Sequence, residues 1–140
     1  MDLDSIYTPP EGPPPPSENI RTLYSKWGET GIRELVSQFY DLIAQSPIKW
    51  MFPTDLTEAK EKQADFMIQA LGGPSYYLEK RGPARMRQRH FAFPISEKER
   101  VVWFDCYDKA LENFPFEHED KIDFLYFLDG FSKWMVNRAK

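Results

Sequence analysis

Several common kinds of functional site are excluded by what the sequence lacks. Its 140 residues include one cysteine and two histidines. A single cysteine cannot form an internal disulfide. One imidazole alone cannot build a zinc site, which needs three or four protein ligands. No Ser/His/Asp or Cys/His arrangement and no glycine-rich phosphate-binding motif occurs, which leaves hydrolases and nucleotide-binding proteins unsupported. No apolar run approaches the roughly 20 residues of a membrane-spanning helix.

Basic residues do not outnumber acidic residues. Acidic residues number 22 and basic residues 18, which leaves a formal net charge of −4 and argues against nucleic acid as a partner. The single Cys106 indicates a reducing, intracellular setting, and residues 1–4 do not resemble a signal peptide. We therefore expect a cytoplasmic protein that binds neither nucleic acid nor membranes.

Aromatic residues, in contrast, are abundant. They make up 16 % of the chain, with eleven Phe, seven Tyr and four Trp. So many large side chains suit a small helical protein wrapped around something flat and apolar, and they suit a plain aromatic core equally well.

Half of the twelve prolines lie in the first sixteen residues. We expect residues 1–18 to form an extended, polyproline-like arm that precedes a single domain at residues 19–140. The arm contains P-x-x-P spacing, which some aromatic grooves bind, but arms of this kind commonly have no partner.

Helical periodicity predicts an all-α domain of five or six helices, with no convincing strand. Gly28 should end a short leading helix, Gly72-Gly73-Pro74 should end a later one, and Ser96 and Glu99 form a capping box, S-x-x-E, at the start of another. The helices are expected at residues 19–27, from 30 through 43, at 56–71, just before His90, at 96–113, and from beyond Pro115 to about 137.

His90 is the most informative single residue. It ends an arginine-rich run and stands thirteen residues before Trp103. One imidazole is enough to hold a haem iron from one side, which leaves the other side for a small ligand. No C-x-x-C-H motif is present, so such a haem would have no thioether links. The other histidine, His118, stands in an acidic helix start and is interpreted as a surface residue.

Three polar or amphipathic residues stand at or near predicted apolar helix faces. Tyr40 lies at the edge of one apolar stripe, Gln63 shares a face with Ala59, and Trp103 carries an indole N–H that needs an acceptor when buried. Taken singly, each has an ordinary explanation as a core or half-buried side chain. The basic run could likewise be a solvated face or an anion-binding patch, in which Arg85 and Arg89 share one side of a helix.

Five stretches in this order and spacing resemble the truncated globins, specifically group II, from about Ile20 to Val136. They are Phe39-Tyr40-Asp41-Leu42, Met51-Phe52-Pro53-Thr54-Asp55-Leu56, Leu71-Gly72-Gly73-Pro74, Arg89-His90-Phe91-Ala92-Phe93-Pro94-Ile95, and Trp103 thirteen residues after His90. Two positions depart from the usual pattern: Gly82-Pro83-Ala84 replaces Gly-His-Pro, and Phe52 is tyrosine in some members.

The resemblance implies a two-over-two helical sandwich around haem b. It implies that His90 ligates the iron, and that Tyr40, Gln63 and Trp103 form the distal pocket beside a small Ala59. Further contacts with the cofactor are then expected from Phe52, Lys62, Tyr77, Arg85, Met86 and Arg89.

The implied function is binding of O2 and other diatomic ligands such as NO and CO. Hydrogen-bond donors in the distal pocket would stabilise negative charge on the ligand. Dioxygenation of NO or peroxide turnover is a related possibility that needs an electron donor, and gas sensing is a third. The alternative is a haem-free helical interaction module that uses an aromatic groove and the proline-rich arm. Either a monomer or a homodimer is compatible with the sequence.

Overall fold

The computed structural model describes residues 17–85 and 93–137. Within these ranges the structure contains helices and no strand, which confirms the all-α prediction. The helices are α1 (Leu23–Ile43), α2 (Thr57–Ala70), α3 (Tyr76–Arg81), α4 (Glu97–Leu111) and α5 (His118–Met135), with short 3-10 turns at Ile20–Thr22 and Lys49–Met51. Residues 1–16, which are most of the predicted arm, lie outside the described residues, as do Met86, Arg89 and His90.

Local sequence signals determine where the helices begin and end. Gly28 interrupts α1 with φ 79° and ψ 158°, a conformation that residues with a Cβ rarely adopt, so the predicted break is confirmed. Gly72, with φ 98°, follows α2 in the position expected of a helix-ending glycine. The predicted capping box at the start of α4 is also present. The Ser96 side chain accepts a hydrogen bond from the Glu99 backbone N–H, and the Glu99 carboxylate accepts one from the Ser96 backbone N–H. The Ser96 hydroxyl also donates to the Glu99 carboxylate.

The long helices pack as two pairs. Helix α1 contacts both α2 and α4, and α4 contacts α5, which gives the two-over-two arrangement. An aromatic stack lies in the centre of the core, where the rings of Phe39 and Tyr107 lie 3.8 Å apart and Phe124 meets Tyr107 edge-on at 5.8 Å. All three side chains are fully buried, so the aromatic content contributes strongly to the hydrophobic stabilisation of the fold.

One buried carboxylate joins three helices. Asp65 in α2 has no solvent exposure, and its oxygens accept hydrogen bonds from Arg33 of α1 (3.1 Å) and from Lys80 (3.1 Å) and Arg81 (2.9 Å) of α3. Lys80 and Arg81, the first two basic residues of the stretch that runs to Arg89, therefore both pair with an internal acid.

Candidate functional site: an aromatic pocket with three polar side chains

A pocket opens between the helices, with about 690 Å³ of empty space when the open solvent at its mouth is included. Helices α1, α2, α4 and α5 all contribute to its wall, together with the turn after α1 and the segment before α4. A mainly apolar wall with few polar groups is typical of small-molecule and cofactor sites. The lining residues are Tyr40, Ile48, Met51, Phe52, Gln63, Phe66, Ile95, Glu99, Arg100, Trp103, Phe131, Ser132 and Met135.

Tyr40 is brought to this wall by the last turn of α1. Its ring lies 4.9 Å from that of Phe39 and 5.9 Å from that of Phe52, both nearly perpendicular to it. The hydroxyl has no hydrogen-bond partner within residues 17–85 and 93–137. Burial raises the pKa of Tyr40 well above its ordinary value, so the group stays protonated and remains a donor at neutral pH.

Trp103 enters the pocket from α4. Its ring meets Phe39 edge-on at 5.7 Å and Tyr107 at 5.2 Å, so its orientation is set by the aromatic core. Among the described residues, the indole N–H of Trp103 makes no hydrogen bond. The structure thus brings two uncommitted donors, from α1 and α4, to one pocket.

Gln63 faces the pocket from α2, but its amide already has a partner. The Nε2 group donates a hydrogen bond of 3.0 Å to the hydroxyl oxygen of Tyr107. The polar side chain that stood out on an apolar face is therefore satisfied inside the protein. Helical spacing could not have identified this partner, because Tyr107 lies 44 residues further along the chain.

The other predicted contact residues are distributed around the pocket. Phe52, directly after the turn Lys49–Met51, lines it, whereas Ala59 is partly buried outside its lining. Tyr77 is buried, with its ring 5.8 Å from Phe66. Two predicted cations are exposed to solvent: Lys62, whose Nζ lies 2.8 Å from a Glu58 oxygen, and Arg85.

Ile95 lies at the edge of the pocket and is held there by Asn137. The Ile95 N–H donates to Asn137 Oδ1 at 2.9 Å, and the Asn137 N–H donates to the Ile95 carbonyl at 2.8 Å. The Asn137 amide also donates to the Phe93 carbonyl at 3.0 Å. Residues 93–95 are therefore anchored beside the pocket by a residue just beyond the end of α5.

The polar end of the pocket, formed around Arg100, was not predicted from the sequence. Arg100 of α4 is buried, donates to both carboxylate oxygens of Glu97 at 2.6 and 2.7 Å, and reaches Asp129 and Ser132 of α5. The hydrogen bonds that Arg100 donates to the Glu97 carboxylate raise the pKa of Arg100. The sequence does carry one signal of this ion pair, because Glu97 and Arg100 stand three residues apart on one helix.

The geometry can accommodate a flat, apolar group that places one face towards hydrogen-bond donors. Phe52, Phe66 and Phe131 supply apolar wall, and Tyr40 and Trp103 supply donors. Across the described ranges, no three His, Cys, Asp or Glu side chains cluster in a way suited to a metal ion. None of the helices in those ranges combines the length and apolarity required to cross a bilayer.

Comparison with known proteins identifies the fold and the family that the sequence resemblance predicted. A model of the bacterial-like globin family matches residues 22–137. A group 2 truncated haemoglobin of Bacillus subtilis is 37 % identical over 125 residues, covering 88 % of this chain and 94 % of the relative.

Solved structures agree with this assignment. The X-ray structure of the truncated oxygen-avid haemoglobin from Bacillus subtilis matches with a TM-score of 0.79 and 36 % identity, over 81 % of this chain and 98 % of that one. The group II truncated haemoglobin from Bacillus anthracis matches with a TM-score of 0.80 and 32 % identity, over 82 % and 90 % of the two chains.

Proposed function

Because this chain belongs to the group II truncated haemoglobins of the bacterial-like globin family, which implies haem binding, we propose that it holds haem b in the aromatic pocket and binds O2 there. The observation that carries the proposal is the pair of uncommitted donors, Tyr40 and Trp103, at one apolar pocket. The related Bacillus subtilis protein is described as oxygen-avid, which supports O2 as the ligand.

The residues present fit such a cofactor. Phe52 and Phe66 offer flat apolar surfaces, and a mainly apolar wall with few polar groups suits a cofactor. We assign His90 as the iron ligand; Ile95, five residues later, reaches the pocket wall. Further cofactor contacts are assigned to Lys62, Tyr77, Arg85, Met86 and Arg89.

When bound, haem iron with a single histidine ligand offers one open position to a diatomic molecule. The chain's contribution is to place donors around that molecule. Tyr40 and Trp103 each supply one O–H or N–H, and Gln63 supplies the amide N–H that Tyr107 does not use. A hydrogen bond to a charged acceptor contributes about 1.5–3 kcal/mol, so each donor should slow release of O2. The small Ala59 adds no donor.

Redox reactions with NO or peroxide would take place at the same site. NO dioxygenation or peroxide turnover would need an electron donor of separate origin, and CO and NO would share the site with O2. The test is NO added to the O2-loaded protein under stopped flow. If the oxygenated form is lost no faster than in Tyr40→Phe, the result counts against NO chemistry at this site.

The decisive experiment is the absorption spectrum of the purified protein titrated with hemin. The wild type and His118→Ala should take up one equivalent and show a sharp Soret band, with ordinary reduced-CO features. His90→Ala should lose or alter that spectrum, because the assigned iron ligand is missing. His118→Ala is the matched control, since it removes the other histidine. If the folded wild type gives no specific spectrum, the haem proposal is overturned in favour of a haem-free interaction module.

A further inference from the structure

Tyr107 occupies the junction between the aromatic core and the pocket. Its side chain is fully buried, stacks on Phe39 and meets Trp103 and Phe124 edge-on. These ring contacts hold the phenol in one orientation, because a large side chain packed on several sides has no free rotamer. Its position is therefore fixed independently of whatever its hydroxyl group touches.

The hydroxyl group of Tyr107 is directed at Gln63. The Gln63 Nε2 donates to it at 3.0 Å, across the interface of α2 and α4. A long glutamine side chain on a partly apolar wall would otherwise sample several rotamers. The hydrogen bond commits one amide N–H to Tyr107 and leaves the second N–H and the carbonyl oxygen of Gln63 in a defined orientation.

We propose that Tyr107 is a positioning residue whose hydroxyl group fixes the amide of Gln63 in the orientation from which it meets the bound ligand. This inference rests on the proposed function. A phenylalanine would supply the same ring contacts, so core packing alone does not account for the buried hydroxyl group, whose desolvation must be compensated by a partner. Preorganised donors stabilise a ligand better than donors that must first be ordered.

The first test measures the pairing itself, by a readout that does not depend on the haem spectrum. Urea unfolding of the protein as purified is compared for wild type, Tyr107→Phe, Gln63→Met and the double variant. We expect a coupling that corresponds to about a fivefold change in the unfolding equilibrium constant, the value of one neutral buried hydrogen bond. Additive effects of the two substitutions would show that Tyr107 does not hold Gln63 and would overturn the inference.

The second test separates positioning from simple structural support. With hemin bound and reduced under CO, the wild type should show one narrow C–O stretching band. Tyr107→Phe should broaden or split the band and accelerate O2 release about threefold, as expected if the ordered amide is released. In the Gln63→Met background the same substitution should change neither quantity. Tyr24→Phe, which removes a hydroxyl group near Glu29, is the matched control.

The outcomes distinguish the two proposals. An unchanged CO band and O2 release rate in Tyr107→Phe would overturn the positioning role, as would an equal change in the Gln63→Met background. If the wild type takes up no haem, the proposed function fails, and the urea cycle still decides whether Tyr107 holds Gln63.

Discussion

Arg81 Nη1 lies 2.9 Å from Asp65 Oδ2, an ion pair between the last residue of α3 and a carboxylate of α2 that has no solvent exposure. Arg33 and Lys80 bond the same carboxylate from α1 and α3. A buried charge that lost such partners would be strongly unfavourable. This cluster therefore fixes α3 against α1 and α2.

Replacement of Asp65 by asparagine should destabilise the protein markedly. The amide keeps the shape of the side chain but cannot balance three cations, so we expect a loss of about 2–3 kcal/mol in the free energy of unfolding. Asp41→Asn is the control, because Asp41 pairs with Lys60 at an exposed site and should cost less than about 1 kcal/mol. Urea denaturation measures both, and equal losses would contradict the buried-cluster argument.

The same cluster makes stability sensitive to acid. Burial alone would raise the pKa of Asp65, but hydrogen bonds from Arg81, Lys80 and Arg33 lower it below its ordinary value. A depressed carboxyl pKa stabilises the folded state above the unfolded value of about 3.9, and this stabilisation is lost as the pH falls through the folded pKa. The stability gap between the wild type and Asp65→Asn should therefore narrow below about pH 4; a gap that stays constant in acid would count against this origin.

Gly72 should tolerate no side chain. It has φ 98°, and a Cβ at this position would overlap the carbonyl oxygen of Arg21. We expect Gly72→Ala to cost more than about 3 kcal/mol in unfolding free energy, since both the backbone and the contact are strained. Gly31→Ala is the control, because a Cβ there meets Phe116 at an ordinary 3.5 Å and a helix favours alanine by up to about 1 kcal/mol. Thermal unfolding ranks the two variants.

Tyr40→Phe should accelerate O2 release from the haem-loaded protein about tenfold or more. The substitution keeps the ring contacts with Phe39 and Phe52 and removes only the donor, whose bond to a charged ligand contributes about 1.5–3 kcal/mol. Stopped-flow displacement of O2 by CO measures the rate. Tyr126→Phe, on the solvent side of α5, should behave as the wild type, and an unchanged rate in Tyr40→Phe would remove Tyr40 from the ligand site.

Trp103→Phe should have an effect of similar size for a similar reason. The variant preserves an aromatic ring beside Phe39 and Tyr107 but removes the indole N–H, so O2 release should again quicken about tenfold. Trp50→Phe changes an exposed tryptophan and is the matched control. The C–O stretching frequency of the CO form should rise as positive potential is lost from the pocket; a frequency equal to that of the wild type would contradict the role.

Local sequence signals were good guides to the helices because their causes are local. Gly28, Gly72 and the pair Ser96 and Glu99 act within one turn of backbone, so a glycine or a capping side chain marks a boundary wherever the rest of the chain lies. The predicted end of α4 near residue 113 was two residues late, since the structure ends that helix at Leu111. Fraying of the last turn makes such ends poorly defined.

The candidate site was only partly predictable. Tyr40, Gln63 and Trp103 became a set through the resemblance to truncated globins, because each alone had an ordinary core explanation. Arg100 and Ser132 were missed, because the spacing of Glu97 and Arg100 indicates an ion pair on one helix but not the burial of Arg100 against Asp129 and Ser132 of another.

The sequence by itself determined the helical class, the family of this protein and the helix boundaries at Gly28, Gly72 and Ser96, but it did not predict α3 at Tyr76–Arg81. Periodicity and caps express local backbone preferences that the order of residues encodes directly. Tertiary structure alone decided that Tyr107 is the partner of Gln63 and that Asp65 gathers Arg33, Lys80 and Arg81. These pairs lie 15 to 44 residues apart, and only the packing of whole helices brings such distant residues within hydrogen-bond distance.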